Sequence, residues 1–205
     1  MMATANPGTR DRLVFTARDY LDAEGLDGIG LREIARRAGV SHGAPLRHFP
    51  TLGALLAAVA AVGFRDLMAS VDAAIQPVPA DDPVDRLAAA SFGYVRFAEL
   101  HPGVFGLMFR SDLCDTADAE YITEGGAAFG QLVDLVRDAQ SSGFHPDAAT
   151  SELAGALWAT MHGLASLHLH GALAPTTGQP DLDALVRLAN SLVFATSPQP
   201  SEDIP

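Results

Sequence analysis

The sequence predicts an all-α protein of about nine helices. Three observations carry that expectation. Apolar residues recur at three- and four-residue steps through most of the chain, the signature of a helix with one buried face. Proline and glycine fall between the periodic segments rather than inside them. No window shows a sustained period-two alternation, which a half-buried strand would require.

The first helix is expected at about 9–24, where Leu13, Val14, Ala17, Tyr20 and Leu21 share a face and Gly25 stops the run. A short second helix runs from about Leu31 to Ala38, with Leu31, Ile34 and Ala35 on one side and Arg32, Arg36 and Arg37 on the other; Gly39 ends it. Ser41 is the expected cap of a third short helix ending near Phe49. Thr51 caps a long fourth helix to about Ile75, broken by Gln76-Pro77-Val78-Pro79. Asp82-Pro83 opens a fifth to about Leu100. His101-Pro102 punctuates before a sixth, to about Phe109. Thr116 is the expected cap of a seventh, to about Ser141, with Gly125-Gly126 as a weak point. An eighth spans about 147–170, and Pro180-Asp181 opens a ninth that ends near Thr196. The tail SPQPSEDIP is expected to be disordered.

The chain has 205 residues, 48% hydrophobic and 19% charged, which suits a folded chain of one large domain or two small ones. No run of eighteen apolar residues lacks polar interruptions and the N-terminus has no apolar signal core, so a cytoplasmic protein without a membrane span is expected. The single cysteine, Cys114, cannot form an intrachain disulfide. Net charge is −12 and every basic residue is arginine. The charge is uneven: residues 1–64 carry seven arginines and six acids, and the remainder carries −13. Salt screens exposed charges beyond about 8 Å, so a distant acidic body need not cancel a locally basic face.

Ala38-Gly39-Val40-Ser41 between the second and third helices has the spacing of a helix-turn-helix. Gly39 allows the sharp turn, and Val40 is placed to plug between the helices. In such a unit the later helix enters the major groove and offers its first residues to base edges. Here those are Ser41, His42, Gly43 and Ala44, with Arg47 and His48 a turn further on, near the phosphates; Arg32 adds a cation from the preceding helix. Pro45 falls near the helix start, where little hydrogen bonding is lost.

Residues 10–64 resemble the DNA-binding domain of the TetR family of bacterial regulators. The matching residues are Arg12-Leu13, Gly25-Leu26-Asp27-Gly28, the run LREIARRAGVS from Leu31 to Ser41, His48-Phe49, and Leu55 to Val59. Tyr94-Val95-Arg96-Phe97, His101-Pro102, Phe105, Leu107-Met108-Phe109 and Trp158 to Gly163 are similar to the ligand-binding half of a TetR subgroup named for a Trp…His-Gly motif. The resemblance implies a helix-turn-helix DNA-binding domain at 9–50, a connecting helix at 51–76, a ligand-binding and dimerisation domain at 82–196, and a tail at 197–205. It also implies a homodimer on a pseudo-palindromic operator, released by a small apolar effector. Three positions depart from the family pattern: Leu46 stands where tyrosine is usual, Leu52 at or next to a usual lysine, and Gly30 near a usual serine or threonine. The family uses those side chains to hold DNA phosphates, so weaker and less salt-sensitive DNA binding is expected.

The C-terminal half is rich in aromatic and methionine side chains. By composition most of these are core; the resemblance raises Tyr94, Phe97, His101, Phe105, Met108, Phe109, Phe129, Trp158, Met161 and His162 as candidate effector contacts, with Tyr94, His101, Trp158 and His162 as polar tips. Gly155, Ala159 and Gly163 recur every four residues, and Leu182, Leu185, Val186, Ala189, Leu192 and Val193 form a stripe on the ninth helix. The resemblance assigns both sets to a four-helix dimer interface, though intrachain packing would use the same residues. His168 and His170 are two apart and point apart on a helix, and no cysteine or close carboxylate completes a metal set with His162. No nucleophile-plus-base spacing or phosphate-binding glycine loop is present, so neither an enzyme nor a cofactor is expected.

Overall fold

Nine helices and no strand occupy the described residues of the computed structural model, which are 8–174 and 181–194. They are α1 (Thr9–Glu24), α2 (Leu31–Arg37), α3 (Ala44–His48), α4 (Leu52–Ile75), α5 (Pro83–Leu100), α6 (Pro102–Met108), α7 (Ala119–Ser141), α8 (Thr150–Leu169) and α9 (Leu182–Phe194). The expected start of the last helix at Pro180, its end at Thr196 and the tail lie outside the described residues.

Local chemistry sets most of the boundaries. Thr51 Oγ1 accepts from the Ala54 N–H at 3.1 Å and starts α4, and Asp82 Oδ1 accepts from Asp85 N–H at 3.1 Å and starts α5. The cap of α7 is Asp118, not Thr116: its Oδ1 accepts from Tyr121 N–H at 2.9 Å. The preceding residues are held elsewhere, since Asp115 donates its N–H to Gly53 O at 3.0 Å. Gly125 and Gly126 do not interrupt α7. A Cβ at Gly125 would meet the Phe64 ring at 3.4 Å, an ordinary packing contact.

The chain divides into two compact units, one of residues 1–70 and 96–132, the other of 71–95 and 133–205, so α4, α5 and α7 contribute to both. In the first unit α1 packs on α2, α3 and α6. The three N-terminal helices therefore share their core with α6 rather than forming a separate body. Leu13, Val14, Ala17, Leu21, Ile34, Ala35 and Phe49 are buried there. Every residue of α4 from Ala54 to Ala61 is buried, so this part is apolar all round rather than amphipathic. By length and composition α4 could cross a membrane, but most of that stretch is buried inside the protein. At Gly63 a Cβ would meet Val104 Cγ1 at 2.6 Å and Met108 Sδ at 2.8 Å, which shows how closely α6 lies on α4. In the second unit α8 packs on α9, and Leu87, Leu135, Val136, Ala154, Leu157, Met161, Leu182 and Val186 are buried.

Candidate functional site

The turn between α2 and α3 is built by glycine geometry. Gly39 has φ of +63°, a left-handed conformation that a side chain would strain. Its N–H bonds to Arg36 O at 3.2 Å, and Val40 N–H reaches back to Ala35 O at 3.0 Å, closing α2. The Arg12 guanidinium of α1 donates to the carbonyl of Ala38 and ties this end down. Ser41 contributes its backbone rather than its hydroxyl: its carbonyl accepts from Ala44 N–H at 2.9 Å, and no side chain caps α3. The expected serine cap is thus replaced by Gly43, which is already helical at φ −88°.

Pro45 in this short helix and Phe49 just after it are buried, and Phe49 N–H bonds to Pro45 O at 2.7 Å. Pro45 sits in the first turn, where its missing N–H has no partner to lose. Ser41, His42, Gly43, Leu46, Arg47 and His48 are exposed and Ala44 is half-buried. Leu46 is 62% exposed.

The charges on this side are largely engaged within the protein. Glu33 accepts from Arg36 at 2.9 and 2.6 Å and from Arg37 at 2.6 Å. Those bonds, from Arg36 first and Arg37 second, pull the Glu33 carboxyl down to about 2. Arg37 also donates twice to Glu24 and lies over the Tyr20 ring at 4.4 Å, while Tyr20 donates to Asp27 O at 2.7 Å. Arg37 is therefore a strut between α1 and α2. Arg10 bonds Glu120 at 2.6 Å and Arg18 pairs with Asp66 at 2.8 Å. Of the seven N-terminal arginines, Arg32 and Arg47 have side chains without an ion pair or hydrogen bond among the described residues. The locally basic face expected from the sequence reduces to these two cations and the flanking His42 and His48.

The candidate effector contacts separate into two groups. His101, expected as a polar tip, is held by α1. Its Nε2 lies 3.2 Å from Arg18 Nη2 and its Nδ1 lies 2.8 Å from Asp22 Oδ2. Arginine can only donate, so Nε2 accepts and the Nδ1–H donates to the carboxylate. Asp22 Oδ1 accepts from Val104 N–H at 3.1 Å, so a residue of α1 caps α6 across the helix junction. The approach is close: a Cβ at Gly103 would lie 1.9 Å from Leu21 O. Phe97, Phe105 and Met108 are buried in this first unit, and Phe109 meets Phe64 edge-on at 5.9 Å and Phe105 at 5.6 Å. For these residues the structure shows core packing. Phe129, on the α7 segment of the same unit, is 38% exposed.

Tyr94, Trp158 and His162 do meet, in the second unit. Trp158 Nε1–H donates to Tyr94 Oη at 3.1 Å, and Tyr94 Oη lies 2.9 Å from His162 Nδ1. Indole can only donate, so Tyr94 Oη accepts from Trp158, and its O–H lies within hydrogen-bond reach of His162 Nδ1. The Trp158 and Tyr94 rings lie edge-on to His162 at 6.0 and 6.4 Å. Burial pushes the Tyr94 phenol well above its ordinary range, with the Trp158 bond opposing it, and burial lowers the His162 imidazole. The three form an uncharged polar chain at neutral pH, with Met161 and Leu157 of α8 buried nearby in sequence.

The stripe on α9 splits. Leu182 and Val186 are buried within the chain, and Leu185, Ala189 and Val193 are half-buried. Leu192 is 76% exposed, joined by Leu188, which sequence reasoning missed. The reason is geometric: the stripe is wider than one helix face, so its two edges meet different surroundings. On α8, Ala159 is exposed and nothing lies within 4 Å of a Cβ built at Gly155 or Gly163. Asn190, also unanticipated, is buried and donates from Nδ2 to Ala88 O at 3.0 Å. Cys114 is buried with its thiol pushed up to about 11 by desolvation, and no three metal-ligating side chains cluster among the described residues.

A model of the tetracyclin repressor-like C-terminal domain matches residues 87–191, and one of the tetR family of bacterial regulatory proteins matches residues 13–59. The chain belongs to the TetR family. It is a DNA-binding transcriptional regulator, and TetR regulators are not enzymes. Among solved structures, a protein of unknown function from Rhodococcus sp. RHA1 is 31% identical and superimposes with a TM-score of 0.80, over 95% of this chain and 98% of that one. The fatty acid degradation regulator FadR from Bacillus halodurans is 14% identical with a TM-score of 0.73, over 93% and 96%. The TetR regulator PfmR from Thermus thermophilus is 16% identical with a TM-score of 0.67, over 95% and 100%. These last two share the TetR fold. No curated protein matches the chain.

Proposed function

We propose that this TetR regulator is a cytoplasmic repressor that binds a pseudo-palindromic operator as a homodimer and leaves it when a small, uncharged, largely apolar effector binds. The observation that carries the reading is the α3 surface, where Ser41, His42, Arg47 and His48 are exposed over an inner face anchored by Pro45 and Phe49. A dimer would set two such helices about 34 Å apart, or a multiple of that, to meet successive major grooves. The exposed Ala159 on α8 and Leu188 and Leu192 on α9 support a partner covering that face. The Tyr94–Trp158–His162 chain supports an uncharged effector, because a buried ionic ligand needs an opposite charge that this chain does not supply. The effector acts by preferring one of two dimer arrangements; a tenfold change in operator affinity needs about 1.4 kcal/mol of coupling.

A second reading, a dimeric small-molecule binder with little operator affinity, is favoured by the engagement of Arg36 and Arg37 with Glu33 and by the exposed Leu46. One experiment separates them. Duplexes selected from a random-sequence pool are tested in a mobility shift. The repressor reading expects retention, with Arg47→Ala weakening it by about tenfold or more. Arg32 and Arg47 on two protomers would give a log–log salt slope near −4, since each phosphate contact contributes about 0.9. Absence of any selected sequence leaves the second reading standing.

A further inference from the structure

We propose that Leu46 is a specificity-determining residue that reads the 5-methyl group of a thymine in each operator half-site. The inference rests on the operator-binding reading above. Among the described residues of the first unit, Leu46 is the most exposed large apolar side chain, at 62%, ahead of Ile122 at 57% and Leu100 at 54%. It lies on α3, between buried Pro45 and exposed Arg47, one helical turn after His42. Its neighbours on that surface are small or polar: Ser41, Gly43 with open space around its Cα, and Arg47 without an ion pair among the described residues.

The major groove presents nitrogen, oxygen and amino groups at every base edge, and one apolar group, the thymine methyl. An isobutyl group pressed against any other edge would strip water from a donor or acceptor without replacing the bond. Against a thymine methyl it buries apolar surface on both sides. An exposed leucine on a groove-entering helix therefore favours one base, and it does so without a charge. Leucine cannot make the phosphate hydrogen bond that the family's usual tyrosine makes at this position, so whatever Leu46 contacts in the groove it contacts as an apolar group, independent of salt.

The test uses the full-length protein and a duplex selected from a random-sequence pool. Each thymine is replaced singly by deoxyuridine, which removes the methyl and leaves base pairing intact. The expected result is one thymine per half-site whose replacement weakens binding about fourfold, the worth of a buried methyl, and by roughly tenfold or more when both half-sites are changed. Leu46→Ala should bind the parent duplex more weakly and be indifferent to deoxyuridine at that position. Leu46→Met, which keeps an apolar arm, should retain part of the discrimination. Because Leu46 is exposed, both variants are expected to melt like the wild type, and a melting curve checks this. Sequence-specific binding with no deoxyuridine effect that Leu46→Ala abolishes would overturn the proposal while leaving operator binding intact. Failure to select any sequence would remove the operator-binding reading and this proposal together.

Discussion

His101 and His162 are both half-buried histidines pinned at Nδ1, yet they sit in different settings. In the first unit His101 sits between a carboxylate and a guanidinium, donating from Nδ1 to Asp22 and accepting at Nε2 from Arg18. In the second unit His162 Nδ1 is hydrogen-bonded to a phenol that is itself held by an indole. The first knot joins α1 of the DNA-binding helices to the start of α6 with ionic partners. The second joins α5 to α8 with neutral ones. Formal charges at a helix junction make a strong, directional tie because donors and acceptors are matched; a neutral chain makes weaker ties that carry no net charge.

Each knot can be broken separately. The largest effect is expected at Gly103, where a methyl would overlap the Leu21 carbonyl at 1.9 Å. Neither partner is a side chain that can rotate away, so Gly103→Ala should cost about 3 kcal/mol or more in urea denaturation and separate α1 from α6. Asp22→Ala comes next. It removes the acceptor of His101 and of the Val104 N–H together, and a loss of about 2 kcal/mol is expected by the same measurement. Tyr94→Phe removes one oxygen that serves both Trp158 and His162, and about 1 kcal/mol is expected, together with a change in Trp158 fluorescence. If Tyr94→Phe cost more than Asp22→Ala, the ranking of ionic over neutral ties would be wrong.

The smallest effect is a pH dependence. Burial holds the His162 imidazole below its ordinary value of 6.5. The unfolded chain therefore takes up a proton before the folded one does. Stability from this group is complete above about pH 6.5 and falls as acidification proceeds through the lowered folded value. Thermal melts between neutral and mildly acidic pH should show that decline, and His162→Gln should remove its share.

Most of the helical order was legible in the sequence because helices are written in short-range terms. Thr51 and Asp82 act as caps where spacing alone predicts them, and Gly39 ends α2 as its position in the pattern requires. Thr116 and Asp118 are both good capping residues two apart; Asp118 wins because the backbone of Asp115 is drawn to Gly53, over sixty residues earlier. Tyr94, Trp158 and His162 were recognisable singly as polar tips, and the structure brings them together. His101 was recognisable as polar but not as a partner of Asp22, and Arg36 and Arg37 were recognisable as a polar face but not as partners of Glu33 and Glu24.

The sequence by itself determined the all-α class, the sharp turn before α3 and the family, because periodicity, caps and glycine turns act over a few residues. Only the tertiary structure decided which arginines are ion-paired within the chain, which nitrogen of His101 carries the proton and which edge of the α9 stripe faces out. Those outcomes depend on electrostatic and steric meetings between elements 13 to 110 residues apart, as in Arg37 with Glu24 and Arg10 with Glu120, and no local pattern encodes them.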